Sequence, residues 1–368
     1  MKKNILSACI SSLFLVSGVY AAETTWSGKK VIDEPVKLTR SVLKIEPGAK
    51  IVFQGKGALI LSGGKLIAEN ADFSAEESVA GSFRISLNKT SVQLKQCRFN
   101  GLTTVKPAPK AKFIDGAIYL SGCPGSITDC KFTGCSAIAL VNNHGFSIEK
   151  NQFIRPHTGI FLLNSRENRI ANNSFDQASV YGIFLNGSAL NVISDNRFTG
   201  CAIGIQLIWK GTGDNRFTGN SFFGGKVGIR LFQCGKANFF QGNLFEKTNY
   251  AVSSFSKPFG KDNMFTNNVF YRCPHAVEFP VQPDTAPVIF RNNAVCHAVT
   301  GIRGGSKAVA AENNLFWKVK KSTASVELKN TIDADPKFKD PENGDYRPAE
   351  GSPLLKAGTS GTNIGLFQ

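Results

Sequence analysis

One pattern returns along most of this chain, from about residue 91 to 330: Asn-x-Phe, five to seven residues, Gly/Ala-Ile-x-Leu, then a polar turn. It runs through SITDCKF, FSIEKNQF, NRIANNSF, NVISDNRF, NRFTGNSF, NFFQGNLF, NMFTNNVF and VAAENNLF. Its aromatic anchor falls at Phe99, Phe132, Phe153, Phe175, Phe198, Phe222, Phe245, Phe270 and Phe316, with Val295 filling the slot once. Neighbouring anchors stand 21 to 25 residues apart, except for 33 between Phe99 and Phe132. A period of this size belongs to a solenoid, in which each repeat buries its apolar face only against its neighbours.

Composition decides which solenoid. The repeats alternate apolar and polar residues over short runs and are punctuated by Gly, Asn and Asp, without a helical stripe of useful length. Three short strands and three turns in about 22 residues make one rung of a parallel β-helix. An asparagine stands two residues before most anchors: Asn151, Asn173, Asn196, Asn220, Asn243, Asn268, Asn293 and Asn314. Rungs stacked ~4.8 Å apart let such amides hydrogen-bond along the axis and satisfy one another in a dry interior. The expected fold is therefore all-β: a single-domain right-handed parallel β-helix of about ten rungs.

The chain is similar to the pectin-lyase-like right-handed β-helix repeat proteins over essentially its whole length after the leader. The opening SVLKIEPGAKIVFQGKGALILSGGKLIAENADF resembles the leading rungs of exported members. The ending DADPKFKDPENGDYRPAEGSPLLKAGTSGTNIGLFQ is similar to the C-terminal segment of bacterial surface proteins of the choice-of-anchor Q kind. The resemblance implies fold more than function, because the group holds lyases, hydrolases, epimerases and proteins without known activity.

Four segments follow. Residues 1–21 read as a secretory signal peptide: two lysines, an apolar run and small residues before a cleavage point after Ala21. Residues 22–90 read as an N-terminal cap with leading rungs, 91–330 as the repeats, and 331–368 as a C-terminal cap over an otherwise open end. No later stretch reaches the ~18 apolar residues of a membrane span, so the expectation is an exported protein: extracellular, periplasmic or at the cell surface.

The formal net charge of +16 favours anionic partners. Export points to polyuronates, sulfated glycans or anionic envelope, and nucleic acid is not the expected partner. Nine cysteines, one of them in the leader, show neither CxxC pairs nor the density of a disulfide scaffold. Cys97 and Cys130 take the asparagine slot in two successive rungs, as a pair of buried thiols or as a bridge. The four histidines show no metal-ligand spacing. No cofactor is required by the sequence, while calcium on turn carbonyls and aspartates such as Asp195 or Asp214 stays open.

In the Gly-Ile-x-Leu strand the apolar pair faces inward, so the x position faces out. That column reads Tyr119, Ala139, Phe161, Phe184, Gln206, Arg230, Ser253, Glu278 and Arg303. Two residues on come Ser121, Val141, Leu163, Asn186, Ile208, Phe232, Phe255 and Pro280. So many outward aromatics mark a binding surface or a covered one, and the segment TTVKPAPKAKF at 103–113 is a candidate cover. Aromatic faces suit the C–H faces of sugars, and cations suit their carboxylates or sulfates. The expected binding residues are Tyr119, Arg155, Phe161, Phe184, Trp209, Phe232, Glu278 and Arg303.

The stretch IQLIWKGTGDNRFTGNSFFGGKVGIRLFQ is similar to the lysine and arginine rungs of alginate and chondroitin lyases. That likeness implies Lys210 as base and Arg230 as carboxylate neutraliser. By the same comparison the family's slots fall on Ile208 and Phe232, and its acidic calcium ligands are missing. Glu278 and Arg303, neighbours in one column, fit an ion pair as well as a uronate site. Two functions follow: an exported protein that binds or processes an anionic polysaccharide, as a lyase if it is an enzyme, or a non-catalytic envelope protein that binds glycan or a protein partner. Oligomeric state is not legible in the sequence.

Overall fold

In the computed structural model the described residues are 22–76, 79–80, 84–102, 104–105, 117–254, 260–279, 287–304 and 308–366. Residues 1–21, read above as a signal peptide, and all of the 103–113 segment except Thr104 and Val105 lie outside them, as do Phe255 and Pro280. The chain winds into a right-handed parallel β-helix of about 12 turns. Each rung supplies three strands to three walls. Wall A takes strands such as Thr158–Leu163, Tyr181–Asn186, Ile203–Ile208 and Val227–Phe232. Wall B takes Arg169–Ala171, Val192–Ser194 and Arg216–Thr218, and wall C takes Ser174–Asp176, Arg197–Thr199 and Ser221–Phe223. Walls A and B belong to one 25-stranded sheet, joined by the long strands Pro35–Ile45 and Ala58–Glu69, and wall C is a 13-stranded sheet.

The anchor phenylalanines form one stack inside wall C. From Phe73 through Phe99, Phe132, Phe153, Phe175, Phe198, Phe222 and Phe245 to Phe270, ring centroids lie 4.6 to 4.9 Å apart and planes within 2 to 9°. Phe99 pairs directly with Phe132, so the extra residues between them leave the rung as an insertion. Val295 continues the column between Phe270 and Phe316.

The asparagine ladder forms as expected. The Asn196 Nδ2 donates to Asn220 Oδ1 at 3.0 Å and to the Ile170 carbonyl at 2.9 Å, while its Oδ1 accepts from the Asn173 backbone and side chain, both at 3.0 Å. Each residue before a ladder asparagine turns the corner in the left-handed region, for instance Asn172, Asp195 and Asn267. A second ladder runs through Asn168, Asn191, Asn215, Asn238 and Asn263 at the corner between walls A and B. It stands beside its own stack of Phe217, Phe240 and Phe265.

The cysteines serve this interior as small corner donors. All eight among the described residues are free and buried. The Cys201 and Cys273 thiols reach the Phe175 and Phe245 carbonyls at 3.5 and 3.4 Å. Thr248 makes the same contact with the Phe222 carbonyl between them. Cys97 and Cys130 are stacked thiols, the Cys97 N–H donating to Cys130 Sγ at 3.3 Å.

The C-terminal segment spends its apolar side chains on the flank of the solenoid. Tyr346, Leu354 and Ile364 pack on outward residues of wall C, namely Leu244, Val269, Ala294, Leu315 and Tyr271. Asn267 and Asn292 tie it down through Asn363 and Thr359, and Arg272 pairs with Glu342. The outward column under it changes accordingly, from Lys131, Gln152, Ser174, Arg197 and Ser221 to Leu244, Val269, Ala294 and Leu315.

Candidate functional site

Wall A carries the outward columns in the expected register. Tyr119, Ala139, Phe161, Phe184, Gln206, Arg230, Ser253, Glu278 and Arg303 pair in unbroken succession. The surface they make is not uniform. Phe161 is buried with Ala137 and Ala139 in a small apolar cluster, against which Tyr119, Leu163 and Phe184 pack. Its ring is therefore not open to a sugar, contrary to the sequence expectation. Gln206, too, is only 3% exposed, its Nε2 donating to the Leu207 carbonyl.

A third outward column, which strict alternation hides, lies three positions upstream: Thr158, Tyr181, Ile203, Val227, Tyr250, His275 and Thr300. It exists because a small residue interrupts the pleat after each of these positions: Gly159, Gly182, Gly204, Gly228, Ala251, Ala276 and Gly301. The small residue is needed by the interior. A Cβ on Gly204 would stand 2.6 Å from the Phe222 ring and 2.7 Å from the Gly228 carbonyl. The aromatic stack inside thus dictates an extra outward position outside.

A band of half-buried side chains lies where these columns run together. Tyr181 and Phe184 meet at 4.8 Å between ring centroids, and Tyr250 stacks on His275 at 4.6 Å and 17°. Between them the floor is made by Ile203, Gln206, Val227 and Ser253, all buried and none charged. Arg230 stands half-buried in this frame. Burial pulls its guanidinium below the usual arginine range, and the Tyr181 phenol acts in the opposite direction. It remains a cation, since arginine keeps its proton throughout the ordinary pH range.

On the far edge of the band, where wall A turns into wall B, Trp209 is 59% exposed and Phe232 on the next rung 42% exposed. Trp209 holds φ at +72°, a conformation that costs a bulky residue energy and presents its ring to solvent. Lys210 and Lys236 are exposed beside them. Lys210 follows Trp209 in the turn, whereas the residue paired with Arg230 on that rung is Gln206. The base and neutraliser expected from the sequence therefore do not share a column. Arg155 stands at the opposite corner leading into wall A, and Glu278 forms an ion pair with Arg303 at 3.1 Å. Tyr181, Tyr250 and His275 are the residues that sequence reasoning passed over. The signal was the small residue that follows each of them.

Residues 54–257 match the family described as Periplasmic copper-binding protein (NosD), more than half of the chain. The chain belongs to the NosD family. No curated protein matches it by sequence. Among solved structures it is similar to the periplasmic alginate epimerase AlgG, at 12% identity over 84% of this chain and 78% of that one, with a TM-score of 0.58. It is also similar to the PL6 family alginate lyase AlyGC, at 14% identity and a TM-score of 0.63, covering 93% of this chain and 55% of that one. A mannuronic acid specific polysaccharide family 6 lyase from human gut microbiota aligns at 14% identity over 88% and 93%, with a TM-score of 0.50. These likenesses place this NosD-family chain within the pectin-lyase-like β-helix fold.

The copper in the family's description can be tested against the side chains. Copper sites are built from imidazole, thiolate and thioether groups. The four histidines and all cysteines after the leader are among the described residues. Yet the described residues hold no group of three His, Cys, Asp or Glu that could bind a metal ion. The thiols are committed to the interior, and burial pushes Cys135 and Cys201 up to about 11 and Cys234 and Cys273 up to about 12. The residues present do not fit a copper ion. Asp195 and Asp214, the aspartates left open for calcium, occupy left-handed positions at two different corners.

Proposed function

We propose that this chain binds an anionic polysaccharide across the half-buried band of wall A, with Arg230 receiving a carboxylate. The observation that carries the reading is a half-buried guanidinium framed by the outward rings of Tyr181, Phe184 and Tyr250, over a floor without charge. A cation already partly removed from water gains more from an anionic partner than one that is fully solvated. The rings offer faces for sugar C–H groups, and Trp209, Phe232, Lys210 and Lys236 extend the same surface toward the turn. The net charge of +16 draws a polyanion from a distance. The apparent export signal and the periplasmic description of the family agree with a partner met outside the cytoplasm. Alginate, named for the epimerase and the lyase of similar fold, is a polymer of that class.

Calorimetric titration with alginate and pectate, against dextran as neutral control, tests the reading. Arg230→Ala should weaken binding roughly 10- to 100-fold, the worth of one charge-assisted contact of about 1.5–3 kcal/mol. Lys210→Ala should cost less and lose its effect at high salt, because that side chain is exposed. Equal affinity for dextran, or an unchanged Arg230→Ala variant, would refute it.

A further inference from the structure

We infer that the corner between walls A and B, where Leu190, Trp209 and Phe232 project beside Lys210, Lys236 and Lys261, docks the solenoid on a lipid surface with anionic headgroups. The inference does not rest on the polyuronate reading, which turns on Arg230 and the rings within wall A.

The chain builds this corner on glycines. After Ile208 it runs through Gly211 and Gly213, and on the rungs that follow through Gly235 and Gly260. A Cβ on Gly235 would stand 2.3 Å from the Lys210 carbonyl oxygen, and one on Gly213 2.7 Å from that of Lys236. A Cβ on Gly260 would stand 2.2 Å from the Lys236 backbone nitrogen. Turns stacked this closely have no room between them for a side chain, so the large residues of the corner stand outside it. Trp209 is 59% exposed, Leu190 43% and Phe232 42%. They belong to three successive rungs, which lie ~4.8 Å apart. They are three of the six large apolar side chains exposed among the described residues, so the exposure is gathered at one place rather than scattered singly. The positive φ of Trp209 shows that backbone energy goes into presenting its ring.

The charges fit the same surface. Lys210, Lys236 and Lys261 are exposed at this corner. Neighbouring faces hold the ion pairs Arg169–Glu149, Arg291–Glu312 and Arg303–Glu278, and among the described residues none of the three lysines joins one. With Arg216 they set four cations against Asp214 and Asp262, the exposed acids of the corner. The basic corner at Arg272 differs, because Glu342 of the C-terminal segment already occupies it.

Shape decides the kind of partner. A small ligand is held by a concave site, and this corner is the convex edge of the solenoid. Protruding rings of this kind can sink into a soft surface without needing a matching cavity. An indole, apolar with one polar edge, settles at headgroup level. Phenylalanine and leucine reach the acyl boundary, and lysines bring their ammonium groups to the phosphates while their stems lie along apolar surface.

The test is co-sedimentation with vesicles of phosphatidylcholine and phosphatidylglycerol in equal parts, against phosphatidylcholine alone. It is run on the full chain and on a chain that begins at Ala22, which keeps every described residue and lacks the apolar run of residues 1–21. Both should bind the anionic vesicles, and the binding should weaken with salt. Tryptophan emission should shift to the blue on binding and lose most of that shift in Trp209→Phe, since Trp26 is buried and Trp317 half-buried. Replacing the three lysines together by glutamine should weaken binding roughly 100-fold. The pair Trp209→Ser and Phe232→Ser should weaken it at least about 10-fold. Lys131→Gln, an exposed change on wall C, should leave it unaltered. All these positions are exposed, so melting temperatures should match wild type. Failure of the Ala22 chain to bind anionic vesicles would overturn the inference, as would equal binding to phosphatidylcholine alone or unchanged binding in the corner variants. A dimer formed without lipid and lost in Trp209→Ser with Phe232→Ser would overturn it in favour of a second copy.

Discussion

Replacing Asn196 by leucine, which has as many side-chain heavy atoms but no polar one, removes the ladder's hydrogen bonds while keeping the site filled. Asn196 is buried and takes part in four side-chain hydrogen bonds of 2.9 to 3.0 Å. Its loss leaves the Asn173 backbone N–H without its acceptor in a region closed to water. An orphaned buried donor costs ~1–3 kcal/mol, and the three other bonds ~1 kcal/mol each. Leucine returns ~1–2 kcal/mol through its added apolar surface. The net expectation is a destabilisation of about 2–5 kcal/mol, read from guanidinium unfolding followed by circular dichroism. Gln152→Ala, an exposed change on wall C, is the control and should stay within about 0.5 kcal/mol. A loss below about 1 kcal/mol for Asn196→Leu would show that these amides are not desolvated donors, and the account of the interior would fail.

Gly204→Ala should destabilise by ~1–3 kcal/mol, because its Cβ would meet both the Phe222 ring and the Gly228 carbonyl; a melting temperature equal to wild type would count against the close approach. Leu354→Asp should release the C-terminal segment and expose Leu244, Val269 and Leu315 to a hydrophobic dye while the solenoid's far-ultraviolet signal persists. The buried thiols should resist alkylation near neutral pH, and eight should react after denaturation of a chain that begins at Ala22. Burial raises the Cys135, Cys201, Cys234 and Cys273 thiols above the usual thiol range, so above pH ~9 the unfolded chain gives up protons that the folded chain keeps. Stability is then fully present below pH ~9 and falls as pH rises toward 11–12, which thermal melts at pH 8 and pH 10.5 would show.

The interior was legible because each rung must repeat what its neighbours stack upon. Phe and Asn columns recur for that reason, and the sequence register predicted the pairing from Tyr119 to Arg303 without a slip. The second asparagine ladder was equally present in the strings NRI, NVI, NRF, NFF and NMF. It was hidden by lying five residues from the first, inside the same motif. Tyr181, Tyr250 and His275 were missed for a different reason. Alternation assigns them inward, three positions from Phe184, Ser253 and Glu278, and only the small residue between reverses the parity. The flank under the C-terminal segment could have been read from the switch of an outward column from Lys131 and Arg197 to Val269 and Leu315.

The same geometry explains why stability and function are carried by different columns here. Inward positions are bound to the rung above and below, so a change at Asn196 or Gly204 is felt along the axis. Outward positions answer only to solvent, to a covering segment or to a ligand, and along one column they run from Phe184 through Gln206 and Arg230 to Glu278. No packing rule requires that succession. Tyr250 and His275 sit at outward positions too, each followed by a small buried residue, Ala251 and Ala276. It follows that Tyr250→Phe and His275→Gln should leave unfolding nearly unchanged, within about 0.5 kcal/mol, whereas enlarging Ala251 to valine should disturb both the Phe245 stack and the presentation of Tyr250. A loss of stability in Tyr250→Phe as large as that in Ala251→Val would mean that the ring belongs to the core, and that the band is not a site.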